Sequence, residues 1–134
     1  MIRNIIVIVL GVFVAGFVNT LIIENGHHLM TVPEGFTFSD PENLKNGLVD
    51  LAPKFFIIPF LAHAVGTFIG ALIAALLGSG NKKRNAYAIS IAFMVGGIIM
   101  VYTLEAPLWF EITDLALAYL PMGFLAGKIA GGKS

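Results

Sequence analysis

Gly78-Ser79-Gly80-Asn81-Lys82-Lys83-Arg84-Asn85 decides the reading of this chain. It is a turn-forming stretch with three adjacent positive charges, set between two long apolar runs, Phe55 to Leu77 and Ala86 to Leu104. Basic residues concentrate on the cytoplasmic side of short membrane loops, so the turn predicts two lipid-spanning helices joined inside the cell.

The other charges follow the same division. Arg3, Lys128 and Lys133 flank apolar runs on the side of the basic turn, while Glu24, Glu34, Asp40, Glu42, Asp50, Glu105, Glu111 and Asp114 fall on the opposite side. Only Lys45 and Lys54 depart from the pattern. Hydrophobic residues make up 57% of the 134 and charged residues 12%. Mean hydropathy is +0.89, outside the range of a water-soluble domain. The net charge of zero is a cancellation between two faces, which argues against a nucleic-acid partner. The chain has no cysteine, excluding disulfides, thiolate nucleophiles and zinc knuckles.

Outward from the basic turn, the sequence predicts an all-α, single-domain polytopic membrane protein over residues 1–134. It is a bundle of four transmembrane helices at about 5–28, 55–77, 86–104 and 112–130, with both termini inside. The first apolar run, Ile5 to Ile23, follows a single Arg3, but no small-residue cleavage site succeeds it, which predicts an uncleaved helix. Pro33, Gly35 and Ser39 read as loop. Asp40-Pro41-Glu42 reads as a helix start, with Asp at the N-cap and Pro in the first turn. That helix is expected to run from Pro41 to Leu77. Its polar opening, as far as Lys54, would form an outer amphipathic extension of the second helix, with Pro53 and Pro59 as kinks. Trp109, in the turn 105–110, suits a membrane interface, and Pro121 predicts a kink within the fourth span.

Helices in lipid associate largely through small residues that let backbones approach. Small residues recur at every fourth position in the second span (Ala62, Gly66, Gly70, Ala74, Gly78) and in the fourth (Gly123, Gly127, Gly131). Shorter rows occur in the third span (Ala88, Ala92, Gly96) and the first (Gly11, Ala15). These rows serve either packing within one bundle or a homodimer seam on the second or fourth helix.

Ionisable residues within a span are costly, and each is a candidate site. Glu24 ends the first helix, with Asn19 and Thr20 deeper and His27 and His28 beyond it. Thr20, Glu24 and His28 share a helical face if the helix continues. His63 lies about 12 Å along the second helix from Phe55. Asp114 sits one turn after Glu111 near the start of the fourth. Glu24, His63 and Asp114, with His27 or His28, are therefore the binding candidates, expected at one level in the outer half of the bilayer. Each has a plainer role: Glu24 and Asp114 as headgroup-level hydrogen-bonders, His27 and His28 as wetted interface residues, His63 as an interhelical tie.

Glu24-x-x-His27 has the spacing used in carboxylate-bridged di-metal bundles, but the further Glu-x-x-His elements are missing. A mononuclear divalent-metal site (zinc, iron or manganese) on Glu24, His27 and His63 is the metal reading. A carboxylate beside a histidine also exchanges protons near neutral pH, as transporters require. No phosphate-binding loop, Gly-x-Ser-x-Gly elbow or His-Glu-x-x-His helix occurs.

Several runs are shared with a known group. These are Pro33-Glu34-Gly35, Asp40-Pro41-Glu42-Asn43-Leu44, Ala62-His63-Ala64-Val65-Gly66, Pro107-Leu108-Trp109-Phe110 and Asp114-Leu115, with Ala118-Tyr119-Leu120-Pro121-Met122. In them the chain resembles a group of small four-helix bacterial inner-membrane proteins. The resemblance implies that fold and location and carries no activity with it. Three functions are open at this stage: a structural or accessory membrane protein, a small oligomeric binding protein or transporter with a protonatable outer-half site, and a metal-dependent membrane enzyme.

Overall fold

The computed structural model describes residues 1–26, 28–29, 34–37, 40–43 and 52–132. Most of these residues are helical, with no strand among them. The helices are α1 (Ile2–Gly26), α2 (Ile57–Leu77), entered through a 3-10 turn at Pro53–Phe56, α3 (Lys82–Thr103), α4 (Leu108–Leu117) and α5 (Leu120–Ile129). With α4 and α5 taken as one broken rod, four helices are long and apolar enough to cross a membrane.

α2 is the centre of the bundle because it carries small residues on two faces. Its buried positions include Ala62, Gly66, Gly70 and Ala74 on one row and Ala64, Thr67, Ala71 and Ala75 on a second. α1 packs along the first row with Val7, Gly11 and Ala15, spaced one turn apart. A side chain on Gly66 would meet the Ala15 carbonyl at 2.8 Å, and one on Gly70 would strike the Gly11 carbonyl. α3 and α5 cover the rest of α2 and pack on each other. Gly123 faces Ser90 there, and a side chain on Gly127 would come within 3.0 Å of the Lys83 backbone. Gly66, Gly70, Gly123 and Gly127 are thus all buried within one chain.

The basic turn, the N-terminus and the end of α5 meet at one end of the bundle. Arg3 Nε donates to the Leu77 carbonyl at 2.8 Å. Asn4 Oδ1 accepts from the Ser79 backbone N–H at 2.7 Å, and its Nδ2 donates to the Ser79 carbonyl at 3.1 Å. Lys82 Nζ donates to the Ala130 carbonyl at 2.7 Å. Arg3 and Lys82 therefore act as cationic caps on the last carbonyls of α2 and α5. Asn81 caps α3 by accepting from Arg84 N–H at 3.0 Å, so α3 begins four residues before its apolar run. Large apolar side chains, among them Ile5, Val9, Phe13, Phe17, Ile99 and Ile129, point outward.

Two expectations require correction. The second helix does not run continuously from Pro41. Asp40 caps a helical turn at residues 41–43, its Oδ1 accepting from Glu42 N–H at 2.9 Å. Ala52, however, is extended (ψ 146°), and Pro53 opens a separate turn. Residues 44–51 lie outside those described. Pro59 falls in the first turn of α2, where a backbone N–H has no partner within that helix, so the irregularity sits at Pro53–Phe56. The fourth span is not merely kinked but interrupted at Ala118–Tyr119. Pro121 has no N–H for the Leu117 carbonyl, which ends the α4 hydrogen-bond ladder, and α5 starts anew from Tyr119 (φ −117°, ψ −78°).

Candidate functional site

α2 presents His63 about 9 Å from its start at the acidic end, counting six residues at 1.5 Å. α4 brings Asp114 against it. His63 Nδ1 lies 2.9 Å from both Asp114 Oδ1 and Oδ2. The Tyr119 hydroxyl donates to Oδ2 at 3.0 Å. The Tyr119 ring stacks on the imidazole, with centroids 5.9 Å apart and planes 25° apart. Asp114 is 5% and Tyr119 1% exposed, so this carboxylate depends on those two donors rather than on solvent. It is the one histidine–carboxylate contact of this kind among the described residues.

A carboxylate that already accepts from a phenol and sits symmetrically about Nδ1 assigns the Nδ1 proton to the imidazole as donor. In the neutral imidazole Nε2 then carries the lone pair, and Nε2 makes no hydrogen bond among the described residues. The His63 side chain is 26% exposed. It borders a cavity of about 170 Å³ at the acidic end of the bundle. α1 contributes Asn19 and Ile23, α2 and its entry turn Phe56, Pro59 and His63, α3 Gly97, Met100 and Val101, the turn after it Leu104 and Ala106, and α4 Phe110, Glu111 and Asp114. The lining is largely apolar, with Asn19, His63, Glu111 and Asp114 as its polar members.

Of the expected site residues, His63 and Asp114 are brought together. Glu24 is not: it is exposed on α1, one residue past Ile23 and so about 100° round the helix from the cavity-lining face. α1 ends at Gly26, so His28 sits in an exposed turn and does not continue the Thr20–Glu24 face. His27 lies outside the described residues. The Glu24–His27–His63 metal set thus includes a residue outside those described; among the described residues no group of three or more His, Asp, Glu or Cys forms a ligand cluster.

Three contributors escaped sequence reasoning. Tyr119 stands five residues from Asp114, about 140° away on a regular helix, so no helical spacing pairs them. Only the break marked by Pro121 hinted at it. Gly97 makes room for Tyr119, since a side chain there would meet the phenol oxygen at 2.6 Å. Asn19, noticed only for its depth, keeps Oδ1 buried with no hydrogen-bond partner. Comparison with known proteins finds no family model, no curated protein and no solved structure that matches this chain.

Proposed function

We propose that this is a multi-pass protein of the bacterial inner membrane, with its basic end and both termini in the cytoplasm, that binds a small molecule in the outer-half cavity at His63. The observation that carries this reading is the division of labour on one imidazole that lines the cavity: Nδ1 is anchored to a buried carboxylate while Nε2 makes no hydrogen bond among the described residues. An imidazole held in one tautomer by a carboxylate is a positioned base and hydrogen-bond acceptor. A residue serving only to join helices gains nothing from an open edge.

Binding is favoured over conduction. Toward the basic end the bundle is filled by Ala15, Ala71, Ala74, Ala86, Ile89 and Ala126, each with no exposed surface. The cavity thus reads as a blind pocket. Release to the other side would require a second conformation or an assembly of copies. The orientation rests on the charge division, whose basic members Arg3 and Lys82 bond the helix ends at one end of the bundle. Accessibility of a terminal tag from outside intact cells would overturn it.

A structural or accessory role is the second reading, supported by the Asp114 carboxylate joining α2, α4 and the start of α5 through His63 and Tyr119. Diethylpyrocarbonate separates the two. The chain has three histidines, so a variant with His27→Gln and His28→Gln leaves His63 as the single imidazole target. Modification of His63 in the folded, lipid-embedded protein supports the binding reading. Complete protection until the protein unfolds overturns it in favour of scaffolding.

A further inference from the structure

We infer that the cavity takes a phenolic headgroup delivered from within the bilayer, entering sideways between α1 and α3 and donating its hydroxyl to His63 Nε2. The inference rests on the binding reading above and names its ligand class.

Size comes first. A cavity of about 170 Å³ is close to the roughly 150 Å³ apolar cavity known to hold benzene, so it fits one six-membered ring and little more. Composition comes second. The walls around that volume are Ile23, Phe56, Val101, Leu104 and Phe110, which suit an aromatic or aliphatic ring and exclude a strongly hydrated solute. Polarity comes third. In the neutral imidazole, with Nδ1 donating to Asp114, Nε2 offers a lone pair, and a lone pair selects a ligand carrying an O–H or N–H. One apolar ring with one donor is the chemistry of a phenol.

The route is read from the helix contacts. α1 packs along α2 but touches α3 only sparsely. Met100 of α3 lines the cavity and is 50% exposed, which places it at the rim proposed between the cavity and the surrounding lipid. A substituent too long for the cavity can leave through this rim and lie among acyl chains.

The chain's one tryptophan provides the probe. Trp109 sits edge-on to Phe56, a wall of the cavity, with ring centroids 5.4 Å apart. Titration of the protein in lipid nanodiscs with toluene, para-cresol and para-heptylphenol, at matched concentration within the lipid, is followed by Trp109 emission and by the NMR resonance of His63 Nε2. The expected result is para-cresol binding roughly tenfold tighter than toluene, the worth of about one hydrogen bond. Para-heptylphenol should bind no more weakly than para-cresol, with Nε2 shifting for both phenols. The His63→Gln variant should lose the tenfold preference and the Glu24→Gln variant, exposed on α1 and outside the cavity lining, should keep it.

Equal binding of toluene and para-cresol overturns the phenol assignment while leaving a ligand cavity in place. Exclusion of para-heptylphenol alone overturns the lateral route. Retention of the preference in His63→Gln, or its loss in Glu24→Gln, overturns the role of Nε2. No response to any of the three compounds, together with protection of His63 from diethylpyrocarbonate, overturns the binding reading itself.

Discussion

Tyr119 reaches the Asp114 carboxylate, at 3.0 Å, across an interruption in the helix that carries them both. Five residues of unbroken α-helix would turn the phenol about 140° away. The break therefore supplies the second donor to a buried carboxylate, and the stacked Tyr119 ring also backs the imidazole that Asp114 holds.

Removing donor and acceptor should have unequal effects. Tyr119→Phe deletes one hydrogen bond and is expected to cost on the order of 0.5–1.5 kcal/mol. Asp114→Ala strands both the Tyr119 hydroxyl and His63 Nδ1, and should cost more, about 1–3 kcal/mol. Reversible unfolding in mixed micelles measures both. Equal losses would contradict the two-donor geometry.

Pro121→Ala restores the missing N–H and permits α4 and α5 to fuse. The fused helix should carry the Tyr119 hydroxyl away from Asp114. Tyr119→Phe in that background should then have no further effect on stability, because the bond it removes is already gone. A full additive loss in the double variant would show that the break does not depend on Pro121.

The glycines divide sharply by surroundings. Gly70→Ala places a methyl group against the Gly11 carbonyl and should loosen the α1–α2 contact by about 1–3 kcal/mol. Gly16→Ala and Gly96→Ala enter open space, with no atom within 4 Å, and should stay within about 0.5 kcal/mol of the parent. Thermal unfolding of the three variants in one lipid composition decides it.

Thr67 is fully buried and its hydroxyl has no partner among the described residues. Replacing a hydroxyl that makes no hydrogen bond by a methyl group removes a desolvation cost, so Thr67→Val should be neutral or stabilising by up to about 1 kcal/mol. A clear destabilisation would mean that the hydroxyl is satisfied, by water or by a ligand.

What the sequence determined by itself is the set of long rods and the gathering of charge at their ends. Apolar length and basic turns are local signals. Residues 82–84 mark their own end of the bundle whatever α2 and α3 do elsewhere. The small-residue rows were equally legible, since a spacing of four names a face, but a face does not name its neighbour. Only packing decided that Gly66 and Gly70 meet α1 and that Gly123 and Gly127 meet α3. His63 and Asp114 could be marked as costly groups. Their meeting, the exclusion of Glu24 and the arrival of Tyr119 were settled by helix rotation and by the break before Pro121. Those depend on contacts among all five helices, and no single stretch of sequence encodes them.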